Sequence, residues 1–261
     1  WFLLRICRAY RDVSHEALCV MADIMPIDIK AQLVTEFEKV KVTGLLERGP
    51  DPPLQVQTPM YELKHPANRK IANCRFVEDD LSQFQAVPVN CTPGEISIFT
   101  DGSKSDDGVG CGFVAYMDGV ECHHETYKLL DFCSVYQAEL LAIKKALQFA
   151  ETCEAEGTLR LYSDSQSGLT ALRDPHSRTE LVKSIHDILN HWRGKALVQF
   201  HWIKAHVGHI GNERADELAK EGARCGQLCR LKAPMSYAKR YLTQQHRTKN
   251  GEWTKSYQAG A

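Results

Sequence analysis

The apolar positions of this chain change their spacing twice, and the two changes divide it. Over residues 1–42 the spacing is helical. Ser14 stands where it can cap a helix carrying Leu18, Val20, Met21 and Ile24. Pro26 suits the first turn of a second helix with Leu33, Phe37 and Val40 on one face. From Thr43 to about Gly94 the pattern fades. The cluster Gly49-Pro50-Asp51-Pro52-Pro53 breaks it, and Pro59, Pro66, Pro88 and Pro93 follow. Residues 43–94 therefore read as a linker with short extended pieces.

From Glu95 a sharper pattern begins. Ile96, Ile98 and Thr100 alternate with Ser97 and Phe99, which predicts a strand ending at Asp101-Gly102. Val109 to Met117 and Val120 to Leu129 predict two more strands, joined by Gly- and Asp-bearing turns into an antiparallel meander. Leu140, Leu141, Ile143, Ala146, Leu147 and Ala150 recur at helical spacing, so Ser134 to about Glu156 reads as a helix that Gly157 stops. Leu159, Leu161 and Tyr162 make a fourth strand ending at Asp164. Helices over 166–172 and 179–193 follow, then a fifth strand from Ala196 to Ile203. Asn212 is placed to cap a last helix through Ala223. The crossover helix between strands one and four favours their parallel pairing. The expected fold is α/β over residues 95–223, preceded by a small helical segment. It is a five-stranded mixed sheet, three antiparallel strands then parallel ones, flanked by helices.

Composition changes this picture little, and charge changes it more. Of 261 residues, 43% are hydrophobic and 25% charged, which excludes a disordered or collagen-like chain. No apolar run approaches the roughly eighteen residues of a membrane span, so no membrane partner is expected. The first residue is Trp1, and the run after it lacks a basic region and a cleavage site. It reads as the inside of a helix of a larger protein rather than a signal peptide. The ten cysteines show no CxxC pair and no framework, which suggests free, mostly buried thiols in an intracellular compartment, cytoplasm or nucleus. In that setting the sequon Asn90-Cys91-Thr92 carries no meaning. The net charge of -1 is a cancellation: -1 over residues 1–94, -7 over 95–222 and +7 over 223–261. In the basic tail, residues 224–261, Tyr237, Tyr241, Trp253 and Tyr257 interleave with Arg230, Lys232, Lys239, Arg240, Arg247, Lys249 and Lys255. It reads equally as a surface for phosphates and bases or as a solvated terminus.

Four acids stand at telling points. Asp101 ends strand one and Asp164 ends strand four, so parallel pairing brings both to one sheet edge, where open α/β sheets bind ligands. Glu139 and Asp216 lie in the first turns of two helices that can be aimed at that edge. Carboxylates that converge without Lys or Arg are relieved by raised pKa values or by divalent cations. Hard oxygen donors without clustered Cys or His favour Mg²⁺ or Mn²⁺ over zinc. Other motifs carry less. Gly108-Val109-Gly110-Cys111-Gly112 enters a strand, so close backbone packing explains it better than a dinucleotide loop. His206, His209, Cys225 and Cys229 have an unusual spacing for zinc, and Cys133 reads as a packed thiol.

Thr100-Asp101-Gly102-Ser103, Gln137-Ala138-Glu139-Leu140, Ser163-Asp164-Ser165-Gln166, His206-Val207-Gly208-His209 and Asn212-Glu213-Arg214-Ala215-Asp216-Glu217-Leu218-Ala219 together resemble type 1 ribonuclease H. The resemblance spans about residues 95–223, in that family's order and spacing. It implies a ribonuclease H-like fold and endonucleolytic cutting of the RNA strand of RNA–DNA hybrids, leaving a 5′-phosphate and a 3′-hydroxyl. It implies two Mg²⁺ ions, with Mn²⁺ as the alternative, held by Asp101, Glu139, Asp164 and Asp216, Asp101 bridging them. His206 matches a mobile-loop histidine tied to proton transfer or product release. Gly102, Ser103, Ser134 and Gln166 match substrate-contacting positions.

Two departures stand out. Val135-Tyr136 replaces a pair that is often polar in cellular enzymes. Only Arg193-Gly194-Lys195 stands where many carry a long basic protrusion, which resembles enzymes that work beside a polymerase. Residues 1–40, with Cys7-Arg8-Ala9-Tyr10-Arg11-Asp12-Val13-Ser14-His15-Glu16-Ala17-Leu18 and Met25-Pro26-Ile27-Asp28-Ile29, more loosely resemble the segment after the reverse transcriptase domain in non-LTR retrotransposon polyproteins of arthropod type. That implies a reverse transcriptase domain as partner. The alternatives are a catalytically inactive ribonuclease H-like binding or tether domain, and a transposase or integrase of the same architecture. Asp216 in its Asn-Glu-Arg-x-Asp context argues against the transposase.

Overall fold

The computed structural model describes residues 2–10, 12–47, 52–58, 71, 74–77, 96–153, 157–192 and 196–260. Most of the 43–94 linker, the Asn90-Cys91-Thr92 sequon and the Arg193-Gly194-Lys195 connection lie outside them. Along the chain run α1 (Phe2–Cys7), α2 (His15–Met21), α3 (Ile27–Thr43), β1 (Leu45–Leu46), β2 (Leu54–Gln55) and β3 (Cys74–Val77). They are followed by β4 (Ile96–Ser105), β5 (Gly108–Met117), β6 (Val120–Leu129), α4 (Val135–Thr152), β7 (Gly157–Ser163), α5 (Gln166–Arg173) and α6 (Glu180–His191). The last elements are β8 (Ala196–Trp202), α7 (Ile210–Cys225), β9 (Gln227–Leu228) and α8 (Met235–Gly260). The chain forms two compact units, residues 59–231 and residues 1–58 with 232–261.

The larger unit is built on a sheet of order β3-β8-β7-β4-β5-β6-β9. The expected meander is there: β5 pairs antiparallel with both β4 and β6. The expected parallel pairing of β4 with β7 is there too, and β8 adds to β7, also parallel. Two short parallel strands extend this five-stranded core at its edges, β3 on β8 and β9 on β6. Residues 74–77 belong to the stretch read as linker, and four residues are too few to stand out by periodicity.

Both faces of β4 are covered, which is why it is buried from Ile96 to Gly102. Ile96 and Ile98 pack with Leu140, Ile143 and Leu147 of α4 and Ile185 of α6 on one face. Phe99 packs on the other with Tyr116, Tyr162, Ala215 and Leu218. Ser134 caps α4 in a reciprocal box with Gln137, fixing where that helix begins. The helix expected to follow an Asn212 cap, α7, begins three residues earlier. His209 is its N-cap, and Asn212 lies inside its first turn, buried.

The glycine-rich run works as packing. A Cβ on Gly110 would stand 2.1 Å from the Ala223 nitrogen, and one on Gly112 would stand 2.7 Å from the Leu218 Cβ. The backbone of α7 therefore lies directly on β5.

In the smaller unit, Ser14 caps α2 as expected by accepting from the Ala17 N–H. Pro26 is the N-cap of α3, and Gly44 closes that helix at φ 66° with its N–H on the Val40 carbonyl. Leu33 and Val40 are buried, whereas Met21 lies just where α2 ends and is exposed. Residues 235–260 of the basic tail form α8, which packs on α3. Ala238, Leu242 and His246 recur every four residues on its buried face, and His246 Nε2 lies 3.0 Å from Glu36 Oε2. Lys239, Arg240, Arg247 and Lys249 are exposed. No described helix is long and apolar enough to cross a membrane.

Replacing Gly110 with Ala should force α7 off the sheet. We expect a loss of about 3 kcal/mol or more in urea unfolding, beyond the usual range for one added methyl. An equivalent change at Gly157, where nothing lies within 4 Å but φ is 79°, should show backbone strain alone.

Candidate active site

The site begins with strand register. In the parallel pair β4–β7, Thr100 lies opposite Ser163, so the next residues, Asp101 and Asp164, emerge side by side at one sheet edge. Glu139 joins them from α4. That helix comes close only because residue 102 is glycine: a Cβ there would stand 2.5 Å from the Glu139 nitrogen. Asp101, Glu139 and Asp164 each place an oxygen within 4.8 Å of the other two.

The three carboxyls share an electrostatic problem. Burial, reinforced by the neighbouring carboxylates, pushes Asp101 up to about 7 and Glu139 up to about 9. The Gly102 backbone N–H acts against this at both residues. Burial raises Asp164 too, opposed mainly by a hydrogen bond from the Asn212 side chain and by the nearby His206. Glu139 Oε2 is buried without a hydrogen-bond partner. An orphaned buried acceptor among hard oxygen donors is the donor set that a Mg²⁺-class cation takes. The residues therefore fit the expected metal.

Asp216, the fourth expected acid, stands outside this tight group. It raises Asp101 and Asp164 electrostatically, and its Oδ2 lies 2.6 Å from Lys220 Nζ, one turn on along α7. Lys220 also lowers Asp101. The expectation of a cluster free of Lys and Arg is corrected here, because the (i, i+4) spacing of α7 brings a lysine to its rim. His206 is exposed in the connection from β8 to α7, at φ 55°, followed by Gly208 at φ 88°. Two left-handed residues so close make this a sharply turned loop beside Asp164.

The remaining predicted residues divide. Gly102 and Ser103 continue β4 past Asp101, and the exposed Gln166 opens α5 with its N–H on the Asp164 carbonyl, 2.9 Å away. Ser134 is drawn into capping, its hydroxyl accepting from the Gln137 N–H at 3.2 Å. Tyr136 packs against the core and hydrogen-bonds with Thr179, and Cys133 is fully buried with its thiol pushed up to about 11 by burial. Of the nine described cysteines, all unpaired, Cys19, Cys111 and Cys133 are buried, fewer than expected.

Two residues at the site escape sequence reasoning. Asn212 reads as a cap, yet it holds Asp164. Trp202 reads as the end of an apolar strand, yet its Nε1 donates to the Asp164 carbonyl at 3.1 Å. The pairing of Ser163 with Trp202 explains this, and only the β7–β8 register reveals it.

Residues 93–224 match the family profile for RNase H. The chain belongs to the RNase H family. Ribonuclease H of Psychromonas ingrahamii is 33% identical over 146 residues, covering 49% of this chain and 90% of the relative. Ribonuclease H of Rhizobium etli is 31% identical over 144 residues, with the same coverage. Among solved structures, RNase H1 of the halophilic archaeon Halobacterium salinarum aligns at a TM-score of 0.40 and 20% identity, covering 49% of this chain and 96% of that one. The carboxylate cluster lies wholly inside the RNase H match, whereas β3 and α8 lie outside it.

The raised carboxyls have a stability consequence. A carboxyl whose folded pKa exceeds its unfolded value binds more protons when folded, so stability falls as pH rises from about 4 through 7 and 9. The metal-free protein should therefore lose thermal stability between pH 5 and about 9. Glu139→Gln should raise its Tm at pH 8 by several degrees, with little effect at pH 4. Differential scanning fluorimetry in chelator would show this, and an unchanged Tm at both pH values would contradict it.

Proposed function

We propose that this RNase H domain hydrolyses the RNA strand of RNA–DNA hybrids by two-metal-ion catalysis, leaving a 5′-phosphate and a 3′-hydroxyl. The observation that carries this reading is the convergence of Asp101, Glu139 and Asp164 within 4.8 Å, with Glu139 Oε2 buried and unpartnered. Two Mg²⁺ ions, or Mn²⁺, held there would stabilise both the attacking and the leaving oxygen of a phosphodiester displacement.

The chain's own residues do the rest. Asp101, Glu139 and Asp164 would hold the ions, and Asp216 would complete the set from the rim of the cluster. Asn212 keeps the Asp164 carboxyl aimed at the cluster. His206, exposed on its turned loop, carries a proton between the reacting phosphate and solvent. Gly102, Ser103 and Gln166 border the cluster and face the RNA strand. Choice of RNA over DNA rests on the 2′-hydroxyl, read in the wide minor groove of the hybrid. Ser134 contributes by fixing the start of α4, and so the depth of Glu139.

The resemblance of residues 1–40 supports a place beside a reverse transcriptase domain in a retrotransposon polyprotein. A domain of net charge -7 repels nucleic acid, so the basic segment after it is suited to neutralising phosphates.

Cleavage of an end-labelled hybrid with Mg²⁺ tests the reading. Asp164→Asn should lower the rate about 100-fold or more, since it removes a ligand and not merely an outer-shell partner. No cutting by the unaltered chain would sink the nuclease reading in favour of an inactive tether, and cutting of duplex DNA would favour a transposase. Replacing Lys239, Arg240, Arg247 and Lys249 together with Gln should weaken hybrid binding. It should also flatten its salt dependence, by about 0.9 in log–log slope for each phosphate no longer neutralised. An unchanged slope would remove α8 from the binding surface.

A further inference from the structure

A cavity of about 230 Å³ lies between β3, β8 and α5. It is too small for the roughly 300–1,000 Å³ typical of drug-sized ligands, but it has room for one planar base. Its walls are aromatic. Phe76 and Phe200 stack with centroids 5.1 Å apart, and the Arg173 guanidinium lies 5.1 Å from the Phe76 ring centre. Trp202 is 45% exposed, an unusual position for so large a ring. Gln166 and Thr170 add polar groups to its lining.

Two features tie this cavity to the site. The Asp164 carbonyl accepts from both the Gln166 N–H and Trp202 Nε1, so the cavity begins where the catalytic edge ends. The hydrogen bond also fixes the orientation of the indole. Phe76 belongs to β3, outside the matched residues 93–224, so a strand from beyond the RNase H domain builds one wall.

We propose that this cavity is a subsite for an unpaired nucleotide of the substrate, the base leaving the hybrid next to the cutting site. The base stacks on Trp202 and against the phenylalanine wall, and Arg173 meets the adjoining phosphate. Aromatic stacking beside an arginine is how single-stranded nucleic acid is held without sequence preference. The inference rests on a hybrid being the substrate.

The test uses the full chain without metal, so that nothing is cut. Fluorescence anisotropy compares a short blunt hybrid with hybrids carrying a two-nucleotide extension at each of the possible ends. At least one extended hybrid should bind about fivefold tighter or better, the lower end of what one stacked base contributes. Phe76→Leu and Trp202→Ala should reduce that gain to about twofold or less. Phe76→Leu should leave blunt-hybrid binding, and cleavage of it with Mg²⁺, as in the unaltered chain. Trp202→Phe keeps a ring but loses the bond to the Asp164 carbonyl, and should retain most of the gain.

The proposal is overturned if no extension tightens binding, if the gain survives in both Phe76→Leu and Trp202→Ala, or if Trp202→Phe abolishes it as fully as Trp202→Ala does. Blunt-hybrid cutting without an extension gain removes the subsite alone. An extension gain without any cutting keeps the subsite and removes the hydrolytic reading.

Discussion

Like charges brought together in a partly buried place govern this structure. Two parallel strands in register deliver Asp101 and Asp164 to one edge, and a helix pressed onto the sheet delivers Glu139. None of the three can move away, because each is held by a backbone that the core fixes. The strain has two releases. Protonation is one, expressed in the raised Asp101 and Glu139 carboxyls. A divalent cation is the other, and it would turn repulsion into coordination. A domain that tolerates this arrangement gives up stability for a site.

The close approach that makes the cluster depends on the absence of side chains at a few positions. Gly102 admits α4, and Gly110 and Gly112 admit α7. The second helix carries Asp216, Asn212 and Lys220 toward the same edge, so one packing decision on β5 sets three polar groups at once. Asn212 illustrates how narrow the tolerances are. At a helix start it would be a cap, and inside the first turn it becomes the donor that steadies Asp164.

Charge is divided in a related way. The acidic RNase H domain has its carboxylates where cations would sit, and the basic residues are concentrated after it. The helix those residues form is amphipathic in an economical sense. Its Ala238, Leu242 and His246 face is buried, which leaves Lys239, Arg240, Arg247 and Lys249 outward. From sequence the same residues read equally as a solvated terminus, since a stripe this narrow, ending in a histidine, gives only a weak periodic signal.

The five core strands, their succession along the chain and the acids at two of their ends were legible in the sequence because they are local. Alternation at Ile96–Thr100, helical spacing at Leu140–Ala150 and the motif residues around each acid need no knowledge of distant neighbours. What tertiary structure decided were matters of register and depth. The pairing of Ser163 with Trp202 put an indole on the Asp164 carbonyl, and β3 closed a cavity with Phe76. The helical spacing of α7 set Lys220 beside Asp216, and Ser134 was drawn into capping. Sequence determined which side chains were available and on which element. Only packing in three dimensions decided which of them meet, because contacts between residues far apart in the chain depend on how closely strands and helices can approach, and that is set by the atoms between them.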